Sequence, residues 1–198
     1  MRKELISKAQ RRYNKQKELH RKLKEHAEDI LVSEKFQSTR AHVQHGSIPV
    51  HRHCIDVAKQ SLLICKYLHL PVREKEMVRG ALLHDYFLYD WHDRERVDYR
   101  EQHGSLHGFY HPGIALKNAS RDYDLTPREA DIIKKHMWPM TVIPPKCTEA
   151  WVVTFADKYC SLLETLKLRK GAAGTRPEKS ERKLRRKITK KMNRSRSA

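Results

Sequence analysis

His84 and Asp85 stand next to each other at the end of an apolar run, Ala81-Leu82-Leu83-His84-Asp85-Tyr86. Adjacent helical positions point about 100° apart, so both side chains reach one ion only if it sits at a helix end or between helices. A hydrogen-bonded His-Asp pair at a helix end uses the same two residues. Four more residues of ligand type stand in or beside helical segments: His53 upstream, and His111, His136 and Asp157 downstream. Asp157 is the most demanding of these. The residues around it are apolar on most sides, and a carboxylate buried there without a partner is costly. A hydrogen bond to a helix N-terminus or to the neighbouring Lys158 answers that demand, and so does a metal ion. Imidazoles with carboxylates suit Fe, Mn, Zn or Co and suit Ca poorly. Four His and two Asp are too many for one catalytic ion that keeps an open position. They divide well between two ions with one carboxylate bridging. The chain has thirteen His, so spacing by itself does not select this subset.

The elements that must position these residues are helical. Residues 2–32 carry Leu5, Ile6, Ala9, Tyr13, Leu19, Leu23, Ala27 and Ile30 at spacings of mostly three, four or six, an amphipathic helix. Gly46 and Pro49 make 38–49 a loop. A helix over 51–68 places His53 in its first turn. Pro71 fits the first turn of the next helix, which delivers His84 and Asp85 near its C-terminal end. Residues 88–106 show no period and read as a long loop of the kind that serves as a lid. Its Asp90, Trp91, His92 and Arg94 are candidates for reading a base or sugar. A further helix starts close to His111. Thr126-Pro127-Arg128-Glu129 is a capping-box start signal, and the helix it opens ends around His136, before Pro139. Trp138 and Pro139 are placed either to wall a pocket or to join the core. Residues 148–168 predict a buried central helix with Asp157 in its middle. No alternating strand pattern exceeds a few residues, so the fold class is all-α.

At 198 residues the chain reads as one domain with extensions: a basic N-terminal helix and loop over 1–46, a helical domain over 47–168, and a basic C-terminal tail over 169–198. The net charge of +18 lies entirely in the two ends. Residues 1–46 hold twelve Lys and Arg against six Asp and Glu, residues 167–198 hold fourteen against two, and the stretch between holds sixteen of each. A neutral domain with basic arms follows, the tail helical or disordered. Phosphate contacts with nucleic acid are expected of such arms, with RNA or a ribosome favoured for 176–196 over a merely solvated tail or an anionic membrane. Four cysteines without a CxxC pair imply reduced thiols. No apolar run nears the roughly 18 residues of a membrane span, and no signal segment follows Met1. A cytoplasmic protein is expected.

The ordered segments His51-Arg52-His53-Cys54-Ile55-Asp56-Val57-Ala58, Leu82-Leu83-His84-Asp85, His111-Pro112-Gly113-Ile114-Ala115-Leu116, Ile132-Ile133-Lys134-Lys135-His136 and Phe155-Ala156-Asp157-Lys158 resemble the HD-domain metal-dependent phosphohydrolase superfamily, in its binuclear, six-ligand form. The resemblance covers roughly 50–168. It implies an HD-domain helical bundle in which His53, His84 and Asp157 hold one divalent transition ion, His111 and His136 hold the other, and Asp85 bridges. It further implies hydrolysis of a nucleotide or related phosphoester by a metal-activated hydroxide. The Gly-Tyr-Pro signature of the cyclic-dinucleotide branch is missing. A di-iron oxygenase would use the same ligands, and an RNA- or ribosome-associated binding protein on the same scaffold is the alternative from another class. His51 competes with His53 as first ligand; Val57 and Ala58 favour His53. Beside Asp85, catalytic roles fall to His107, as donor to a phosphate or general acid, and to Lys158, as a phosphate contact.

Overall fold

A computed structural model describes residues 2–45, 48–89 and 107–166. Among these are seven α-helices: α1 (Arg2–Val32), α2 (Glu34–Ser38), α3 (Val50–Leu68), α4 (Glu74–Leu83), α5 (His107–Asp122), α6 (Pro127–Lys135) and α7 (Thr148–Thr165). The all-α expectation holds. The stretch read as a loop between α2 and α3 is more ordered than its Gly and Pro suggest. A 3₁₀ turn (Thr39–Ala41) leads into a short antiparallel ladder of β1 (Val43–His45) and β2 (Ile48–Pro49). Pro49 then serves as the N-cap of α3. Pro71 does not open α4, which starts at Glu74. Instead the backbone N–H of Arg73 donates to Glu149 Oε1 at 2.8 Å, tying this helix start to that of α7.

The helix of 2–32 is two segments meeting at Ala27, whose φ of −152° and ψ of 38° leave the helical region. Among the described side chains its buried positions begin at Leu19; Leu19, Leu23, Ala27 and Ile30 are buried at spacings of four, four and three, while Tyr13 is exposed. This seam lies against α4. All seven residues from Met77 to Leu83 are buried, so α4 is the central helix. The sequence assigns that place to 148–168, whose apolar residues point all round. In the structure α3, α4 and α6 cover only the inner side of α7. Phe155 (58% exposed), Tyr159 and Leu162 remain on an open outer side.

Gly80 lets α4 and α6 approach closely. A Cβ at this position would sit 2.7 Å from Ile132 Cδ1 and 2.9 Å from its Cβ. Alanine gains up to about 1 kcal/mol in helix propensity over glycine, but overpacking a filled core costs about 1–3 kcal/mol. Gly80→Ala is therefore expected to destabilise the protein by about 1–2 kcal/mol, and Gly80→Val by more. Urea midpoints of the variants check this, and an unchanged midpoint for Gly80→Val contradicts so close an approach.

Candidate metal centre

Five helices deliver the six residues. His53 comes from the first turn of α3 and His111 from α5. His84 is the C-cap of α4, and Asp85 follows it. His136 is the C-cap of α6, and Asp157 lies in α7. The two C-cap histidines use one local device. His84 Nδ1 donates to the Ala81 carbonyl at 2.7 Å, and His136 Nδ1 donates to the Ile133 carbonyl at 2.9 Å. A helix end leaves such carbonyls without intrahelical partners. Here they fix the ring and its tautomer, so in each neutral imidazole Nε2 carries a lone pair. The Nε2 atoms point into the cluster.

The six residues converge in the protein interior, none more than 5% exposed. Asp85 stands between two groups. Its Oδ2 lies 3.3 Å from His84 Nε2 and 3.7 Å from His53 Nε2. Its Oδ1 lies 3.1 Å from His111 Nε2 and 3.5 Å from His136 Nε2. Asp157 Oδ1 closes the first group, 3.1 Å from His53 Nε2 and 3.7 Å from His84 Nε2. In the second, the two Nε2 atoms of His111 and His136 are 2.8 Å apart.

No protein-family model, curated protein or solved structure matches the chain.

The donor set fits a metal, on the following grounds. His53 Nδ1 donates to Glu164 Oε2 at 3.0 Å, so three of the four rings give their neutral-state N–H to an outer acceptor. The inward Nε2 atoms of His53 and His84 then face carboxylate oxygens lone pair against lone pair, while His111 and His136 can share one proton between their Nε2 atoms. His84 Nε2 and Asp85 Oδ1 are buried without a hydrogen-bond partner. Such a centre requires positive charge, supplied either by protons or by cations. The protonation preferences agree. Burial opposes charge on His53, yet hydrogen bonds to Asp157 and Glu164 raise it to about 10. Burial likewise opposes charge on His84, but the Asp85 charge raises it well above the ordinary value. Asp85 and Asp157 are held well below the carboxylate range against burial, chiefly by His84 and His53 respectively. Burial instead pulls His136 down to about 4, which favours the neutral ring.

Three further residues prop the cluster. Gln44 Nε2, from β1, donates to Asp85 Oδ2 at 2.5 Å. Glu164 orients His53, and Ser161 Oγ donates to Asp157 Oδ1 at 3.2 Å. Glu164 and Ser161 follow Asp157 by seven and four residues, one face of α7, so helical spacing was the available signal. Gln44 lies in a three-residue strand, which offers no such signal.

Of the other candidates, His51 is outside the cluster and packs on Phe36 with ring centroids 5.0 Å apart. Lys158 Nζ is engaged by Asp157 Oδ2 at 2.9 Å and by the His136 carbonyl at 3.0 Å. It braces the centre from its rim, with 41% of the side chain exposed. His107 opens α5, but its side chain, the stretch 90–106 with Asp90, Trp91, His92 and Arg94, and the basic tail lie outside the described residues. Trp138 packs edge-on against Trp151, 4.8 Å between centroids, on the outer face of α7 and away from the cluster. Among the described residues no helix is long and apolar enough to cross a membrane.

His51 carries a pH prediction of its own. Burial, then the charges of Arg40 and Arg52, lower it from 6.5 to about 4. The unfolded chain takes up this proton first. The stability it contributes is therefore complete above the unfolded value and is lost as pH falls from 6.5 to about 4. His51→Phe is expected to remove up to about 1.4 kcal/mol per pH unit of slope in that window. Denaturant titrations of both proteins between the two values test this, and equal slopes contradict it.

Proposed function

We propose that the chain is a metal-dependent phosphohydrolase acting on a small phosphorylated substrate, a nucleotide or related phosphoester. The observation that supports this best is the buried cluster in which Asp85 offers one oxygen to each of two histidine groups. His53, His84 and Asp157 would hold one divalent transition ion and His111 and His136 the other, with Asp85 shared. Bound there, such ions supply a hydroxide at neutral pH and positive charge for the phosphoryl oxygens. The chain's own residues do the rest. Ala81, Ile133 and Glu164 turn the ring nitrogens inward. Gln44 and Lys158 each hold a carboxylate oxygen, so that neither Asp rotates away when the centre is charged. Burial of all six keeps bulk water from competing.

Elemental analysis of protein purified without chelator, aerobically and anaerobically, tests the reading together with phosphate release from a nucleotide panel. About two transition ions per chain and release from at least one nucleotide are expected. No metal after reconstitution with Mn, Fe, Zn and Co overturns it. Two irons with oxygen consumption and no phosphate release move the chemistry to an oxygenase.

A further inference from the structure

Behind the two helices that carry His111 and His136 lies a separate cavity of about 610 Å³, within the range of small-ligand sites. None of the six cluster residues is among its described lining. Helical geometry accounts for this. Phe109, Gly113 and Lys117 follow one another at intervals of four on the side of α5 away from the buried His111, Ala115 and Ala119. Lys134 is exposed on α6, while Ile132, Ile133 and His136 face inward. The wall opposite α5 is the loop after α6, with Thr141, Val142 and Ile143.

The lining is two-sided in character. Phe109, Val142 and Ile143 are 53%, 89% and 65% exposed, so apolar surface surrounds the opening. Among the described residues Lys117 and Lys134 meet no carboxylate, whereas Lys135 beside them is paired with Asp131 at 2.7 Å. Thr141 Oγ1 is buried with no hydrogen-bond partner among the described residues. Gly113 completes the lining: a Cβ there would stand only 3.2 Å from Lys134 Nζ, so its absence gives the ammonium room against the helix backbone.

We infer that this cavity binds a phosphate monoester with an apolar body of about mononucleotide size, independently of the buried centre. Phosphate answers the two lysines, and the apolar body answers Phe109, Val142 and Ile143. A flat base and an acyl chain share this chemistry, so the test carries both.

Calorimetric titration of the full chain, with its metal content as purified, uses AMP, decyl phosphate and inorganic phosphate as probes. At least one ester is expected to bind one per chain below about 1 mM, and inorganic phosphate at least about tenfold more weakly. The double variant Lys117→Glu/Lys134→Glu is expected to weaken the ester about tenfold or more, with metal content unchanged, while Lys66→Glu on α3 leaves it unaltered. Val142→Asp is expected to weaken the ester and spare inorganic phosphate. The ester preferred reports the body the cavity takes. Absence of binding by both esters at about 5 mM overturns the inference. So does ester binding whose affinity and stoichiometry are unchanged in the double variant, which would place the ester at the metal centre alone. These readouts do not depend on hydrolysis, so the catalytic proposal fails or stands separately.

Discussion

Asp85→Asn is expected to abolish phosphate release and to reduce bound metal to less than half of the wild-type content. The substitution keeps the side-chain volume and the contact with Gln44, so the loss is electrostatic. Asp85 is 1% exposed and is the one residue whose two oxygens face both histidine groups, 3.3 Å from His84 and 3.1 Å from His111. An amide removes the charge the two groups share and replaces one ligating oxygen by an N–H donor, which cannot hold a cation. Losing one preorganised oxyanion-hole donor costs about 10²–10³ in rate; losing the shared ligand is expected to cost at least that. Asp85→Ala should do the same and adds a cavity. The measurements are ions per chain and phosphate release, with circular dichroism confirming a native helix content. A folded Asp85→Asn protein that still holds two ions would disprove the bridging assignment.

The second large effect is on stability and arises outside the cluster, earlier in the helix that ends at His84. Arg79 is buried in α4 and bonds in two directions, through Nε to Glu129 Oε1 at 2.8 Å and through Nη1 to both oxygens of Asp29 at 2.7 and 2.8 Å. Glu129 is 1% exposed and also closes the capping box of α6, accepting from the Thr126 N–H at 2.9 Å. Asp29 lies on the outside of α1. Arg79→Met leaves the Glu129 charge buried and uncompensated, which costs about 3–5 kcal/mol. For a domain of this size that lowers the melting temperature by about 10 °C. Adding Glu129→Gln removes the stranded charge while retaining a capping-box residue, so the double variant should recover much of the loss. A single variant within about 1 kcal/mol of the wild type, or a double variant no better than the single, would show that the network contributes little.

Much of this arrangement is legible in the residues. Apolar spacing locates the major described helices, and Thr126-Pro127-Arg128-Glu129 forms the expected capping box. The six residues chosen by resemblance lie in one buried cluster, where His53, His84 and Asp157 form one possible ligand group and His84, Asp85 and His136 another, and the structure separates His53 from His51. What escapes is long-range. Gln44 reaches Asp85 across 41 residues from a strand too short to have a period. Which helix is central also escapes, because α7 is apolar all round and only its neighbours decide which side is covered. Lys158 reads as a phosphate contact beside Asp157, but the carbonyl at the end of α6 gives it a second partner that no local pattern shows.

The separation of the cluster's members along the chain bears on the order of folding. His53 and Asp157 are 104 residues apart and His53 and Glu164 are 111, so these contacts close very long loops. Helices and their neighbouring packings form before such closures are rewarded. Interactions completed after the rate-limiting step change unfolding rates more than folding rates. Ions seated at this centre would thus act as a late clasp, slowing escape from the native state while leaving the time needed to reach it almost unaltered.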